Sequence, residues 1–412
     1  MKRQAAAAFL LSLSLAAPQA GANEVVRWNT VATDAAVAAQ IDPLNESRIF
    51  AIVHASIHDA LNAIDRRYEA YQARAAAAAD ASPQAAVAAA AHAALVDLMT
   101  ARKLDFDQAF AETVSQLQDK RAAAAGMRVG KQAAAIILAK RRDDGASRNI
   151  AHLPGKKPGE YRPTPPEFTP GAFANWGSIR PFVLTSAAQF RPARPLDPKG
   201  AGARAEMEEV RAIGGKTSSQ RTAEHSEISR YWYESSPQGW NRVARVVAVD
   251  LRLNEWESAR LLALVNFAMA DGFIGGFEAK YHYNYWRPAT AIRENFDAAW
   301  LPDLWTPPVP DYPSTHTVLG AAAAAVLERY FGTDFVTFSM TSGEPYPGIT
   351  RKFWSFSEAA RENGASRILA GIHFRTAVNA GYRQGEEMGT WVFEHALRPL
   401  AGPAPTPVSS KN

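Results

Sequence analysis

The chain of 412 residues contains no cysteine. This absence excludes disulfide bonds, thiolate metal sites and a cysteine nucleophile, so the stability must come from the hydrophobic core. The chain also lacks a long run of basic residues, and its formal charge of +4 falls to about +2 if Lys2 and Arg3 are removed with a signal sequence. The sequence therefore predicts no binding to nucleic acid.

Long hydrophobic runs are missing as well. Residues 5–17 are mostly apolar, but a run of this length is too short to cross a bilayer, and no later uncharged apolar stretch reaches about 18 residues. Two basic residues precede this run and an Ala-Gly-Ala sequence follows it, which is typical of a secretory signal peptide over residues 1–22. We therefore expect an exported protein, periplasmic or secreted, with no membrane span.

Alternating strand patterns are scarce, whereas helical periodicity is common. Residues 23–150 form a predicted N-terminal helical region, residues 151–200 a proline-rich connector, residues 201–400 a C-terminal helical region and residues 401–412 a flexible tail. The connector holds 10 of the 26 prolines, which forbids a long helix, and its aromatic residues indicate that it packs on the body. The predicted fold class is all-α, built as helix bundles.

Serine residues mark two helix starts in the N-terminal region. Ser47 is predicted to cap a helix that runs to Ile64, with apolar residues at steps of three and four. Ser82 followed by Pro83 has the pattern of a cap with proline at the first helical position.

The first of these helices also carries His54, His58 and Asp59. Histidines four residues apart can bind a metal ion. Their apolar neighbours, including Ile57, favour a buried helix with hydrogen-bonded histidines instead.

Three short segments of the C-terminal region carry groups that can hold a tetrahedral oxyanion. They supply cations, histidines, hydroxyls and a loop with free backbone N–H groups, which together suit a phosphate-like ligand, a nucleophile and an acid/base group. The segments are Lys280-x6-Arg287-Pro288, Pro313-Ser314-Thr315-His316 and Ser366-Arg367-x5-His373.

The spacing within the outer two segments predicts helical geometry. Lys280 and Arg287 are seven residues apart, as are Ser366 and His373, so each pair is expected to share one face of a helix. Pro288 is expected to disturb the first of these helices after Arg287.

The middle segment lies where a proline-rich loop meets an alanine-rich helix. Ser314 and Thr315 are predicted to cap this helix, whose free N–H groups and dipole can bind an anion. His316 in the first turn would place an acid/base group beside that anion.

The order and spacing of the three segments resemble the superfamily of vanadium-dependent haloperoxidases and type 2 phosphatidic acid phosphatases. Its pattern is Lys-x6-Arg-Pro, then Pro-Ser-Gly-His, then Ser-Arg-x5-His-x3-Asp. The resemblance is most specific over residues 265–390 and implies helix bundles of the haloperoxidase type. It also implies vanadate as cofactor, in a pocket that phosphate could occupy because the two anions are nearly isosteric.

The resemblance assigns a role to each site residue. His316 would be the acid/base group, and His373 would be the covalent partner, either as the ligand of vanadium or as a nucleophile that forms phosphohistidine. The groups that would neutralise the oxyanion or donate hydrogen bonds to it are Lys280, Arg287, Ser314, Thr315 and Arg367.

The sequence departs from the family pattern at two positions. Thr315 stands where the family has glycine, so its side chain must be accommodated while its N–H still faces the anion. Ala377 stands where the family has aspartate, so His373 lacks that orienting carboxylate, which counts against phosphoryl transfer. Asp271 is a candidate partner for His316.

Three functions fit these observations. One is a peroxidase that oxidises halide with hydrogen peroxide, another is an exported acid phosphatase acting on phosphate esters, and the third is a helical protein that only binds oxyanions. The aromatic residues between Lys280 and Arg293 and the missing membrane spans favour the peroxidase. The sequence carries no indication of an oligomeric state.

Overall fold

The structure is a computed structural model that describes residues 23–72 and 80–400. The predicted signal peptide and flexible tail lie outside these residues. Within them the chain is mainly helical, which confirms the predicted fold class. The helices are α1 (Glu24–Ala38), α2 (Pro43–Ile64), α3 (Pro83–Leu98), α4 (Lys103–Gln116), α5 (Lys120–Arg141), α6 (Ala201–Ile213), α7 (Ala223–Tyr231), α8 (Ser236–Asp250), α9 (Glu255–Tyr283), α10 (Pro288–Asn295), α11 (Thr315–Phe331), α12 (Phe356–Leu369) and α13 (Arg375–His395), with short 3-10 turns at Thr100–Arg102 and Trp176–Ser178.

Helix α9 forms the centre of the main core. It contacts α2 from the N-terminal region and α8, α11 and α13 from the C-terminal region. Among the helices of the described residues, α9 is the one that is long and apolar enough to span a membrane. However, 94% of its most apolar 18-residue window is buried inside the protein. One hydrophobic cluster extends from Val25 to Leu397, so the two helical regions share a core.

The starts of α2 and α3 test the two predicted serine caps. Ser82 accepts a hydrogen bond from the backbone N–H of Ala85, so that prediction is confirmed. Ser47 is not a cap, because α2 begins at Pro43 and Asp42 accepts hydrogen bonds from the first N–H groups. Ser47 lies one turn inside the helix and donates to the carbonyl of Leu44. An aspartate followed by proline is as good a start signal as serine, and it comes earlier in the chain.

The connector, residues 151–200, wraps over the helices in extended and turn conformations. Tyr161, Trp176 and Phe182 are buried, whereas Phe168 is 60% exposed. The connector is fixed to α9 by Asp271, whose carboxylate accepts hydrogen bonds from three consecutive backbone N–H groups at Phe182, Val183 and Leu184, over 2.6, 2.8 and 2.9 Å. These bonds satisfy a carboxylate that is fully buried.

A short hairpin is the one sheet in the described residues, and the sequence patterns do not predict it. Its strands are β1 (Phe338–Thr341) and β2 (Thr350–Phe353), paired antiparallel with Phe338 opposite Phe353. Four residues are too few to establish an alternating pattern. The hairpin buries Phe338, Met340 and Phe353 on the main core.

Helices α11 and α13 approach each other through glycine. A Cβ atom at Gly381, Gly385 or Gly389 would lie 2.5, 2.2 or 2.3 Å from a backbone oxygen of α11 or its cap. No side chain fits at such distances, so these positions require glycine. The close contact sets the position of the start of α11 relative to the start of α13.

Candidate active site

Lys280 and Arg287 do not share one helix, so the predicted geometry is wrong. Helix α9 ends at Tyr283 because Asn284 adopts a left-handed conformation with φ of 48°. Arg287 is the N-cap residue of α10, and Pro288 occupies its first turn, where no backbone hydrogen bond is lost. Pro288 therefore begins a new helix instead of disturbing an old one. The turn between the two helices still brings both cations to one place.

Both cations are fully buried and hold the loop that precedes α11. Lys280 Nζ donates to the carbonyl oxygens of Pro310 and Asp311 over 2.7 and 3.0 Å. Arg287 donates through Nε to the carbonyl of Val309 and through Nη1 to that of Ile372, each over 2.7 Å. Burial lowers the pKa of Lys280 well below its usual value, and the charge of Arg287 adds to this shift. The negative charge of an anion bound beside them would raise the pKa of Lys280 again.

Ser314 is the N-cap residue of α11, but its side chain does not cap the helix as predicted. Its hydroxyl instead accepts a hydrogen bond from Thr317 Oγ1 over 2.9 Å. Its own N–H donates to the carbonyl of Ala377 over 2.9 Å. The N–H groups of the first turn of α11 are therefore left without a side-chain cap, as an anion-binding helix start requires.

Thr315 is accommodated by a glycine on the neighbouring helix. Its methyl group packs against Gly276 of α9, where a Cβ atom would lie only 2.6 Å from Thr315 Cγ2. Thr315 is 8% exposed and contributes to the cavity wall. The missing glycine of the middle segment is thus compensated by a glycine in α9.

The variant Gly276→Ala is expected to lower the free energy of unfolding by about 1–3 kcal/mol, because the new methyl group overlaps a β-branched side chain with little freedom to move. In Gly276→Ala/Thr315→Gly the loss should be smaller than the sum of the two single losses. Urea unfolding of all three variants measures this coupling.

Gly272→Ala is the matched control for this cycle. A Cβ at Gly272, one turn earlier on α9, would meet Leu319 and Val318 at 3.4 Å, an ordinary contact. We expect this variant to be neutral or slightly stabilised, since alanine favours a helix over glycine. Additive losses at Gly276 and Thr315 would contradict the compensation.

His316 lies half-buried in the first turn of α11, and its partners are not those predicted. Its Nε2 is 2.6 Å from the carbonyl oxygen of Trp232, and its Nδ1 is 2.8 Å from Ser236 Oγ. A carbonyl oxygen can only accept, so the proton is on Nε2 and Nδ1 accepts from the serine hydroxyl. Asp271 is not its partner, because that carboxylate binds the connector. Burial, followed by the charge of Arg367, lowers the pKa of His316 well below its usual value.

Ser366 and His373 also fail to share a helix. Helix α12 ends at Leu369, and Gly371, with φ of 79°, turns the chain before His373. Ser366 donates to the carbonyl of Asn363 over 2.6 Å and accepts from Arg367 Nε over 3.2 Å, so its hydroxyl positions the guanidinium.

Arg367 has a buried donor with no acceptor. Its Nη2 atom is enclosed and makes no hydrogen bond in the structure. The guanidinium lies over the ring of Tyr233 at 5.4 Å, and burial lowers its pKa to about 10. A buried, unpaired N–H group of a cation is costly, and a bound anion would supply the missing acceptor.

His373 lies between Arg287 and a carboxylate that the sequence did not reveal. Asp311 Oδ1 is 2.8 Å from His373 Nδ1, while Arg287 Nη1 is 3.1 Å from Nε2. The Asp311 oxygen is close to Nδ1 but is not aligned as in an ideal hydrogen bond. Two lone pairs would repel at this distance, so Nδ1 carries the proton, and Nε2 has the lone pair, which faces Arg287 Nη1. Burial, with Arg287, Lys280, Arg367 and His316, lowers the pKa of His373 well below its usual value.

Asp311 itself is fully buried beside two cations. Burial raises its pKa to about 7, and the neighbouring Arg287 and Lys280 oppose this rise. The residue directly precedes the middle segment, at Asp311-Tyr312-Pro313. A carboxylate immediately before an anion loop is the one signal in the sequence that could have identified it.

These side chains meet at one end of a cavity of about 420 Å³. Arg287, Arg367, Thr315 and the two histidines form its polar end, and Lys280 lies behind the wall. The remaining wall is largely apolar and includes Phe173, Phe273, Phe277, Trp305 and Val309. A larger surface depression, of about 750 Å³, lies between the connector and α10 and contains none of the predicted site residues.

The donor set fits a tetrahedral oxyanion such as vanadate or phosphate. Lys280, Arg287 and Arg367 surround the carboxylate of Asp311 at this end of the cavity. The other two carboxylates of the cavity wall have partners of their own, since Glu234 pairs with Arg242 and Asp42 accepts from the first N–H groups of α2, so the site has an excess of positive charge. The unpaired Nη2 of Arg367 and the helix start at Ser314 supply donors, and Nε2 of His373 supplies a lone pair. The structure therefore brings all seven predicted site residues into one neighbourhood, with Asp311 as an eighth member.

The histidines of α2 belong to the core. His54 Nε2 is 2.7 Å from Asn29 Nδ2, and His58 Nδ1 is 3.1 Å from Asp59 Oδ1. Burial lowers the pKa of His54 to about 3, so the ring is neutral. This arrangement agrees with the predicted buried helix carrying hydrogen-bonded histidines.

The mainly helical fold and the buried cluster of cations and histidines can be compared with known proteins. Residues 260–402 match the VCPO second helical-bundle domain, and the chain is similar to vanadium haloperoxidases in sequence and in fold. It is 28% identical to the vanadium chloroperoxidase of Curvularia inaequalis over 40% of this chain and 38% of that protein, so the match spans well under half of the relative.

Solved structures match over more of the chain. The structure of a bacterial vanadium-dependent iodoperoxidase is 27% identical, with a TM-score of 0.83 over 92% of this chain and 97% of that chain. An apo bacterial vanadium-dependent chloroperoxidase, 17% identical, has a TM-score of 0.70 over 86% of this chain and 94% of that chain, and therefore shows the shared fold. The resemblance noted in the sequence is thus confirmed.

Proposed function

We propose that this protein is a vanadate-dependent haloperoxidase, which oxidises halide ions with hydrogen peroxide. The observation that carries the proposal is the buried, unpaired Nη2 of Arg367 in a site that already holds Lys280, Arg287 and the lone pair of His373 Nε2. This set suits an anion whose central atom can also accept a nitrogen ligand. The similarity to a bacterial iodoperoxidase over almost its whole length supports vanadate as that anion.

In this proposal the chain binds and orients the oxyanion. Arg287 and Arg367 neutralise its charge from the cavity wall, and Lys280 does so from behind it, while the first-turn N–H groups of α11 donate hydrogen bonds. His373 would ligate vanadium through Nε2. Bound vanadate would supply a Lewis-acid centre that makes peroxide electrophilic toward halide.

His316 would take the proton from peroxide, and its resting partners limit how it can do so. Its Nε2 already carries a proton directed to Trp232, so Nδ1 is the basic atom. Ser236 Oγ donates to Nδ1 and also lines the cavity. The peroxide proton therefore has two routes to Nδ1. It transfers directly after the Ser236 hydroxyl turns away, or it transfers to Ser236 Oγ while the hydroxyl proton of Ser236 moves to Nδ1.

An acid phosphatase is the second candidate, and one contact favours it. The alanine at position 377 counts against phosphoryl transfer, because it leaves His373 without the orienting carboxylate of the family pattern. Asp311 lies 2.8 Å from His373 Nδ1, so that argument no longer holds. In this alternative His373 attacks phosphorus through Nε2 and His316 protonates the leaving oxygen.

Assays of the purified full chain separate these functions. With vanadate and hydrogen peroxide we expect oxidation of iodide or bromide, followed as triiodide or as bromination of monochlorodimedone, and little activity without vanadate. Vanadate-free protein should hydrolyse p-nitrophenyl phosphate slowly or not at all. Strong hydrolysis that vanadate inhibits, without halide oxidation, would establish the phosphatase. Binding of vanadate and phosphate without either activity would leave oxyanion binding as the function.

A further inference from the structure

The residue four positions after His373 cannot orient it. Ala377 lies in the first turn of α13, is 1% exposed and packs in an apolar cluster. Its carbonyl accepts the N–H of Ser314 over 2.9 Å, so its backbone fixes the start of α11. The role that the family pattern gives to an aspartate here must fall to another group or be lost.

Asp311 lies in the right place to supply that group. Its Oδ1 is 2.8 Å from His373 Nδ1 but 3.8 Å from Arg287 Nη1, so the carboxylate is closer to the imidazole than to the guanidinium. The guanidinium has its own acceptors in the carbonyls of Val309 and Ile372. Neutralising Arg287 is therefore not the main use of this carboxylate.

The backbone holds Asp311 on both sides. Its N–H donates to the carbonyl of Tyr285 over 2.9 Å, and its carbonyl accepts from Lys280 Nζ over 3.0 Å. Both partners belong to the segment that carries the first two cations. A carboxylate mounted in this way keeps its direction, as a group that orients a ligand must.

We propose that Asp311 is the positioning residue of His373 and replaces, from the loop before α11, the carboxylate that is missing at position 377. It keeps the proton on Nδ1 and the lone pair on Nε2, and it fixes the plane of the ring. The proposal rests on the proposed function in giving His373 the role of vanadium ligand, but the state of the ring can be tested without it.

The two roles that Asp311 could have predict effects of opposite sign. If Asp311 only adds negative charge, Asp311→Asn should tighten the binding of every oxyanion. If it positions His373, the same variant should weaken vanadate binding by about 10–100-fold, the range for lost orienting partners of metal ligands. Phosphate, which makes no covalent contact with His373 on simple binding, should bind as well as before or better.

Calorimetric titration of the vanadate-free full chain with vanadate and with phosphate measures both affinities. The variants are Asp311→Asn, Asp311→Ala and Asp311→Ala/Ala377→Asp, and the last should recover most of the vanadate affinity by placing a carboxylate at the family position. Glu206→Gln is the matched control. Glu206 acts on Asp311 through its charge but binds Thr376 and not His373, so removing its charge should not weaken vanadate binding.

Nitrogen NMR of histidine-labelled, vanadate-free protein tests the ring directly. We expect His373, assigned by its loss in His373→Ala, to be protonated on Nδ1, and this preference should weaken in Asp311→Ala and return in Asp311→Ala/Ala377→Asp. Unchanged tautomer and vanadate affinity in Asp311→Asn would overturn the proposal, as would tighter binding of both anions. Wild-type protein that lacks halide oxidation but keeps the Asp311-dependent tautomer would instead refute the proposed function alone.

Discussion

The substitution His373→Ala is expected to lower vanadate affinity by more than roughly 100-fold and to remove halide oxidation. Loss of an orienting partner alone costs about 10–100-fold, and this variant removes the ligand itself. Lys280, Arg287 and Arg367 remain, so phosphate should still bind. Vanadium-51 NMR and calorimetric titration with each anion measure the two affinities.

His395→Ala is the control for this experiment. His395 is exposed near the end of the described chain, stacks on Trp391 and is not among the residues that line the cavity. The His395→Ala variant should bind vanadate with the affinity of the wild type. Wild-type vanadate affinity in His373→Ala would show that the cations hold the anion without a nitrogen ligand.

The substitution Asp271→Ala is expected to lower the free energy of unfolding by about 4 kcal/mol. It removes the acceptor of the N–H groups of Phe182, Val183 and Leu184, and an unsatisfied buried donor costs roughly 1–3 kcal/mol. Urea unfolding gives the loss. Because these bonds fix the connector to α9, hydrogen exchange of the connector should also increase.

Glu278→Gln provides a matched comparison on the same helix. Glu278 also joins α9 to the connector, but through an ion pair with Arg191 in which both side chains are partly exposed. Such pairs contribute about 0–1 kcal/mol. Equal losses in Asp271→Ala and Glu278→Gln would contradict the role of the buried carboxylate.

Much of the fold could be predicted because the signals are local. Ser82-Pro83 marks a helix start, and the alanine-rich stretch before Phe331 has the propensity of a helix, and both form as expected. The hairpin at Phe338 was missed because its strands are too short to establish a period. The start of α2 at Asp42-Pro43 was missed, and the predicted cap Ser47 lies one turn inside the helix.

The seven candidate site residues were predicted to lie close together, and they do, but their geometry differs from the prediction. Spacing of seven residues suggested two helical faces, and in both cases one residue with positive φ ends the helix, Asn284 in one and Gly371 in the other. Periodicity cannot reveal such a break when apolar residues continue on either side of it.

The partners of the histidines could not be predicted from the sequence, because they come from other parts of the chain. Ser236 and Trp232 reach His316 from the start of α8 and the turn before it. Asp311 reaches His373 across a loop. The family pattern places an acid four residues after the histidine, so it does not indicate a carboxylate in the loop before α11.

The glycines between α11 and α13 hold two sides of the candidate anion site close together. Helix α11 begins with the N–H donors, and α13 begins two residues after His373, so the separation of these helices contributes to the distance between donors and ligand. At Gly381, backbone meets backbone with no side chain to adjust. The size of the tetrahedral anion that fits therefore depends partly on residues outside the cavity wall. A substitution at a residue that never contacts the anion can change the selectivity of the site.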